Sequence, residues 1–148
     1  MAAKKKAAKA GAAALAVKNS PYVKALAPEL EEDWFANHDI HIHVPAGAVP
    51  KDGPSAGVAM TVALSSLISG RPVGNEVAMT GEVTLTGQVL PIGGLKEKSL
   101  AAQRAGIKRV LVPERNEGDV GEIPKQELGD LEFIYLDRIE QAIEAAIG

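Results

Sequence analysis

Ser55 stands in Pro50-Lys51-Asp52-Gly53-Pro54-Ser55-Ala56-Gly57, at the junction between a tight turn and a run of residues that reads as helix. Asp52 and Gly53 supply turn chemistry, and Pro54 fixes a backbone angle suited to the first position of a helix. The helix then continues through Val58 and Leu64 until Gly70 and Pro72 stop it. A hydroxyl at such a place lies among amide donors that have no helical partner, at the positive end of the helix dipole. The same donors suit a carbonyl oxygen as it becomes an oxyanion. A serine at a helix start is by itself a capping residue, so a nucleophilic reading needs a second residue, a base.

Two sets of candidates offer one. His38 to Pro45 alternates polar and apolar residues, which predicts a strand with Ile40, Ile42 and Val44 on one face and His41 and His43 on the other. Those histidines fit an ordinary polar strand face, a substrate-lining or catalytic role, or a metal site, and for the last the nearby sequence holds no third ligand. The other candidate is Lys98. Gly93-Gly94 opens a helix whose first turn carries Lys98, on a stripe beside Leu95 and Ala102. Partial burial there, together with the positive helix terminus, would favour a neutral amine able to accept a proton. Lys96 points elsewhere, roughly 200° around the helix. A solvated helix lysine is the plain alternative. Glycines before a helix can also cradle phosphate, but Gly87 to Lys98 does not fit G-x-x-x-x-G-K-[ST], so no nucleotide hydrolysis is expected of this chain.

The elements that must position these residues fit into one domain. The chain has 148 residues, a mass of 15.4 kDa, 46% hydrophobic residues and a formal charge of -3, which fits one soluble, mildly acidic domain with a single substantial core. Its apolar runs are short and broken, so no membrane span is expected. The absence of cysteine removes disulfides, thiolate nucleophiles and thiolate metal sites, and fits a bacterial cytoplasm. One Trp, two Tyr and two Phe make a poor base-stacking platform for nucleic acid. Residues 1–11 form a basic Ala/Lys-rich tail, expected to be disordered, with a nucleic-acid contact and a cloning or targeting remnant as the alternatives.

A domain is predicted over 12–148. Its expected elements are a helix from Ala12 ending before Pro21 and a second from Pro28 to Ala36. The strand at His38–Pro45 and the Ser55 helix follow. Next come a short strand at Val77–Met79, hairpin arms at Val83–Thr86 and Gln88–Leu90 around Gly87, and a helix from Leu95 to Gly106. Strands at Lys108–Pro113 and Glu132–Leu136 flank an acidic segment of turns and short helical pieces. Asp137 is expected to cap a last helix through Ile147. This order predicts an α/β or α+β fold, a small mixed sheet with flanking helices and at least part of the sheet parallel.

Four stretches taken together resemble a known family. They are His41-Ile42-His43-Val44-Pro45, Pro50 to Val58, Met79-Thr80-Gly81-Glu82-Val83-Thr84-Leu85, and Gly87 to Lys98 through Pro91-Ile92-Gly93-Gly94. In this order they are similar to the proteolytic domain of Lon, the ATP-dependent protease. The resemblance implies a serine endopeptidase with a Ser-Lys dyad, in which Ser55 is the nucleophile and Lys98 the general base and later proton donor. It implies that the Thr80 hydroxyl lies by the dyad lysine. Asp52, Gly53, Pro54 and Ala56 would belong to a loop that rearranges between inactive and active forms, and His41, His43 and Glu82 would be supporting residues within the shared motifs.

It further implies unfolded or unfoldase-delivered polypeptide substrates, a homo-oligomeric ring commonly of six subunits, and an AAA+ ATPase acting in cis or in trans. No cofactor or metal is expected in this chain, with ATP and Mg belonging to the ATPase. A bacterial cytoplasm is the expected location and the mitochondrial matrix the alternative. The family's leading strands are expected to be absent before the first helix, and Thr86 replaces a basic residue often found there, which would weaken a contact between subunits. A catalytically inactive Lon-like scaffold or truncated paralogue, and a nucleic-acid-associated module working through the basic tail, are the competing readings.

Overall fold

The computed structural model of the chain describes residues 16–18, 20–31, 33–43 and 53–147. The basic tail, Asp52 and the Val44–Lys51 stretch lie outside the described residues.

Ala16 to Lys18 are helical and Ser20 is not, so the first helix ends before Pro21 as expected, and a further helix, not expected, begins at Pro21. Helix α1 spans Pro21–Leu26, with Ser20 as its N-cap, the serine oxygen accepting from the Val23 amide at 3.4 Å. Proline is suited to this place because its missing N–H is one the first turn leaves unpaired anyway. The helix expected from Pro28 is shorter: Pro28 and Glu29 form a turn, and α2 covers only Trp34–Asn37. Residues 38–43 carry no strand. Their alternation is real, since Ile40 and Ile42 pack on the core while His41 and His43 are exposed. No described strand lies alongside to complete a ladder, so the periodicity expresses burial without pairing.

Helix α3, Gly57–Ser69, ends at Gly70 with φ +66. Strand β1 is Val77–Met79, β2 Glu82–Val83 and β3 Val89–Leu90. Helix α4 is Leu95–Arg104 and β4 is Arg109–Pro113. A single 3-10 turn at Glu114–Asn116, α5 at Glu117–Gly121 and α6 at Lys125–Leu128 fill the acidic segment. Strand β5, Glu132–Leu136, leads to α7, Ile139–Ile147.

Three strands form an all-parallel sheet in the order β1-β4-β5, and β2 pairs antiparallel with β3 as a separate hairpin. The fold is therefore mixed α/β. Parallel neighbours need long crossovers, and the hairpin plus α4 supply the one between β1 and β4.

Strand alternation divides the interior in two. Val77, Met79, Leu111, Ile134 and Leu136 face a core shared with α3 and α7, while Ala78, Val110, Val112, Phe133 and Tyr135 face one covered by α4. Ile139 and Ile143 of α7 are fully buried, and each such side chain contributes about 1.5–3 kcal/mol by leaving water. The start of α7 is capped from within. Asp137 and Arg138 both donate their amides to the Gln141 side-chain oxygen at 2.8 Å, the return half of a capping box, and among the described residues the Asp137 carboxylate accepts no first-turn amide.

Candidate active site

Ser55 lies in the turn immediately before α3, where the Gly57 amide donates to the Pro54 carbonyl at 3.1 Å. The turn is tied to the residues that follow β1 by a reciprocal pair: Gly81 N–H donates to the Ser55 carbonyl at 3.0 Å, and Val58 N–H donates to the Gly81 carbonyl at 3.0 Å. Backbones can approach this closely only because two side chains are missing. A Cβ on Gly57 would stand 2.8 Å from the Val83 nitrogen, and one on Gly81, where φ is +155, would stand 2.7 Å from Val58 Cγ2. Thr80 continues the ladder past β1 by donating its amide to the Leu111 carbonyl at 3.0 Å, and its buried hydroxyl donates to the Ser55 carbonyl at 3.4 Å. The sheet thus fixes the backbone of Ser55 through two successive residues.

Lys98 comes to the same place from α4. Gly94, with φ +69, starts that helix, and the Lys98 amide closes its first turn on the Gly94 carbonyl at 3.2 Å. The Lys98 amine then donates to Ser55 Oγ at 3.3 Å. Lys96 points away, as its spacing predicts, and pairs with Glu127 at 3.4 Å. Partial burial of Lys98 is not observed: the side chain is exposed. Leu95, Ser99 and Ala102 are the residues of α4 that turn inward, which leaves Lys98 on the flank of that stripe, reaching across a cleft instead of into the core.

That cleft has a volume of about 280 Å³, with Ala56 and Ala59 on the α3 side, Ala78, Met79 and Thr80 from β1 and its end, and Val110 from β4. Its walls are small and apolar, and the polar groups converge at one end, where Ser55, Lys98 and Thr80 meet. At the helix head the Gly57 and Val58 amides are occupied by Pro54 and Gly81, and no described residue accepts from the amides of Ser55 or Ala56.

Gly53 and Pro54 are exposed in the turn before Ser55. Glu82 opens β2 opposite Leu90, half-buried. His41 and His43 are exposed, neither lines the cleft, and among the described residues no group of three or more His, Cys, Asp or Glu side chains gathers where a metal could sit. The resemblance puts the Thr80 hydroxyl by Lys98. Both line the cleft, but the hydroxyl's hydrogen bond goes to Ser55. Sequence reasoning missed the wall residues Ala59, Ala78 and Val110, which are ordinary helix and strand residues until the elements meet. It also missed Asn116, buried beneath the loop that leads to Lys98, whose only signal is an amide in an otherwise acidic, exposed segment.

A mixed α/β domain in which a helix-head hydroxyl faces a lysine amine across an apolar cleft has the parts of an acyl-transferring hydrolase. Residues 7–148 match the family described as the Lon protease (S16) C-terminal proteolytic domain. The chain is 56% identical over 119 residues to the Lon protease of Desulfatibacillum aliphaticivorans, an alignment that covers 80% of this chain and 14% of that protein. It is 60% identical over 113 residues to the Lon protease of Phenylobacterium zucineum, covering 76% and 14%. Against the Lon protease of Escherichia coli K12 it is 56% identical over 118 residues, covering 80% and 15%. The chain spans about one-seventh of the length of these curated relatives. It belongs to the family of Lon C-terminal proteolytic domains.

Proposed function

We propose that this domain hydrolyses peptide bonds through a Ser55–Lys98 dyad, with unfolded or unfoldase-delivered polypeptide as substrate. The observation that carries the reading is the 3.3 Å separation between Lys98 Nζ and Ser55 Oγ, in a cleft open to substrate. With its amine neutral, Lys98 takes the Ser55 proton as Oγ attacks the scissile carbonyl carbon. The carbonyl oxygen gains negative charge and is met by the amides of Ser55 and Ala56 at the positive end of α3. Collapse of the tetrahedral species breaks the C–N bond, and Lys98 passes its proton to the departing amine. The acyl-enzyme ester is then cleaved by a water that loses its proton to Lys98 and adds to the carbonyl carbon. Ser55 leaves with that proton, and the catalyst is restored.

Thr80 supports the nucleophile through the Ser55 carbonyl, and the small apolar wall accepts an uncharged side chain beside the scissile bond. The reading assigns no metal or cofactor to this chain, and assigns unfolding and ATP hydrolysis to a separate AAA+ module acting in cis or in trans. A homo-oligomeric ring in a bacterial cytoplasm, as the family resemblance implies, completes it.

The test is hydrolysis of fluorescently quenched casein by the chain and by its Ser55→Ala and Lys98→Ala variants. We expect release by the unaltered chain and background signal from both variants. Equal signal from all three would leave a Lon-like scaffold without catalysis.

A further inference from the structure

We propose that Asn116 is a positioning residue for Lys98; the inference rests on reading Lys98 as the base. Asn116 is only 2% exposed, and its amide is fully engaged. Ile92 N–H donates to Asn116 Oδ1 at 3.0 Å, and Asn116 Nδ2 donates to the Ile92 carbonyl at 2.9 Å and, with its second hydrogen, to an Asp119 carboxylate oxygen. A carboxylate only accepts, so Asp119 fixes which end of the amide is nitrogen. Both hydrogens and the carbonyl of Asn116 are thereby committed, and two of the three bonds grip one residue, Ile92, through the peptide groups on either side of it.

That residue belongs to Pro91-Ile92-Gly93-Gly94, the link between β3 and the helix that carries Lys98. The link is intrinsically soft: Gly93 and Gly94 lack side chains, and a Cβ at Gly93 would meet nothing within 4 Å. Lys98 hangs on its end, because its amide closes the first turn on Gly94. Asn116, in contrast, closes the 3-10 turn that follows β4, the central strand. The same strand holds the serine side of the site, since the Leu111 carbonyl accepts from Thr80. One rigid strand therefore references both halves of the pair, through Leu111 and Thr80 for Ser55 and through Asn116 and Ile92 for Lys98. A buried asparagine that merely satisfied its own turn would spend its amide within residues 114–119; this one reaches across the chain to the helix origin.

The test uses the full chain with Asn116→Ala, and with Asn116→Asp paired to Asp119→Asn, which keeps an acceptor for the Ile92 amide and a 116–119 contact but loses the donation to the Ile92 carbonyl. We expect Asn116→Ala to lower kcat about 10- to 100-fold with KM within about twofold, as an ångström-scale misplacement of a catalytic group does. The paired variant should fall between Asn116→Ala and the unaltered chain. Amide hydrogen exchange should quicken at Ile92 to Leu95 while β4 stays protected. Unchanged kcat, or a loss matched by exchange across β4 as well, overturns the inference. If Asn116→Ala does not fold, the paired variant decides by the same readings. If the unaltered chain shows no hydrolysis above Ser55→Ala, the dyad reading fails by itself. Asn116 is then judged by the exchange pattern and by the Lys98 Nζ to Ser55 Oγ separation in crystals of both forms, and an unaltered separation in the variant overturns it.

Discussion

Thr80 and Ser99 present opposite uses of a buried hydroxyl. Thr80 Oγ1 donates to the Ser55 carbonyl at 3.4 Å, a long contact for an O–H donor, so its net worth belongs at the low end for a hydrogen bond. Thr80→Val keeps the shape and removes the donor. We expect a loss of about 0.5–1 kcal/mol in urea unfolding, and a fall in kcat of a few-fold, because the Gly81 amide still holds the same carbonyl. Ser99 is fully buried on the inward stripe of α4, and its oxygen has no hydrogen-bond partner among the described residues. Ser99→Ala removes an unsatisfied group at little cost in volume and places the best helix former there. The variant should be more stable by about 1 kcal/mol, read as a higher urea midpoint at constant slope. A lower midpoint would mean that the hydroxyl is paired in solution, for instance by water.

At the level of elements, the site depends on how closely the head of α3 approaches the end of β1. Gly57→Ala drives a methyl to 2.8 Å from the Val83 nitrogen, a backbone atom that cannot turn aside. The helix head must withdraw from the hairpin, at about 1–3 kcal/mol by the usual cost of overpacking. Ser55 precedes that glycine by two positions, so hydrolysis should fall further than the folded fraction does, a comparison of casein turnover with circular dichroism at one temperature. The same closeness shows what was legible in the sequence. Ser55 and Lys98 could be read because each sits at a helix start marked by glycine and proline, and the later strands could be read from apolar runs between such signals. Fold class followed from their order. Pairing could not be read locally: His38 to His43 has strand periodicity but no neighbour, and the hairpin arms shrink to Glu82–Val83 and Val89–Leu90 because Thr84 to Gln88 is spent on the turn. Pro21 follows the end of one helix and begins another, and the second could not be read because its cap, Ser20, looks like part of the break. Lys98 was expected to be shielded by Leu95 and Ala102; which flank of a helix meets solvent depends on where the sheet lies.

Across the whole molecule the parallel sheet has two chemically different ends. The carboxyl end of β1 carries Thr80 and the cleft, while the amino ends of β1 and β4 are joined by Glu76 and Lys108, whose side chains pair at 2.8 Å in solvent. Lys108, through its hydrogen bond and charge, holds the Glu76 carboxyl below its ordinary 4.5, and Glu76 in turn raises the Lys108 amine above its ordinary 10.5. Burial, aided by the charge of Glu117, raises the Tyr135 phenol above 10.0. A depressed carboxyl contributes stability that is present above its unfolded value and lost as pH falls through the folded one. A raised amine or phenol contributes stability present below its unfolded value and lost as pH rises through the folded one. The Glu76–Lys108 contribution is therefore full between about 4.5 and 10.5, and small, because both groups are solvated and screened. The difference in urea midpoint between the unaltered chain and Glu76→Gln should be largest near pH 7, shrink as pH falls below 4.5, and shrink again at pH 7 when salt is raised to about 1 M. Tyr135→Phe should flatten the fall in stability that begins above pH 10. Since this end of the sheet lies away from the cleft, Glu76→Gln should leave kcat at pH 7 unaltered while it moves the midpoint; a matching fall in kcat would mean that the two ends of the sheet are coupled.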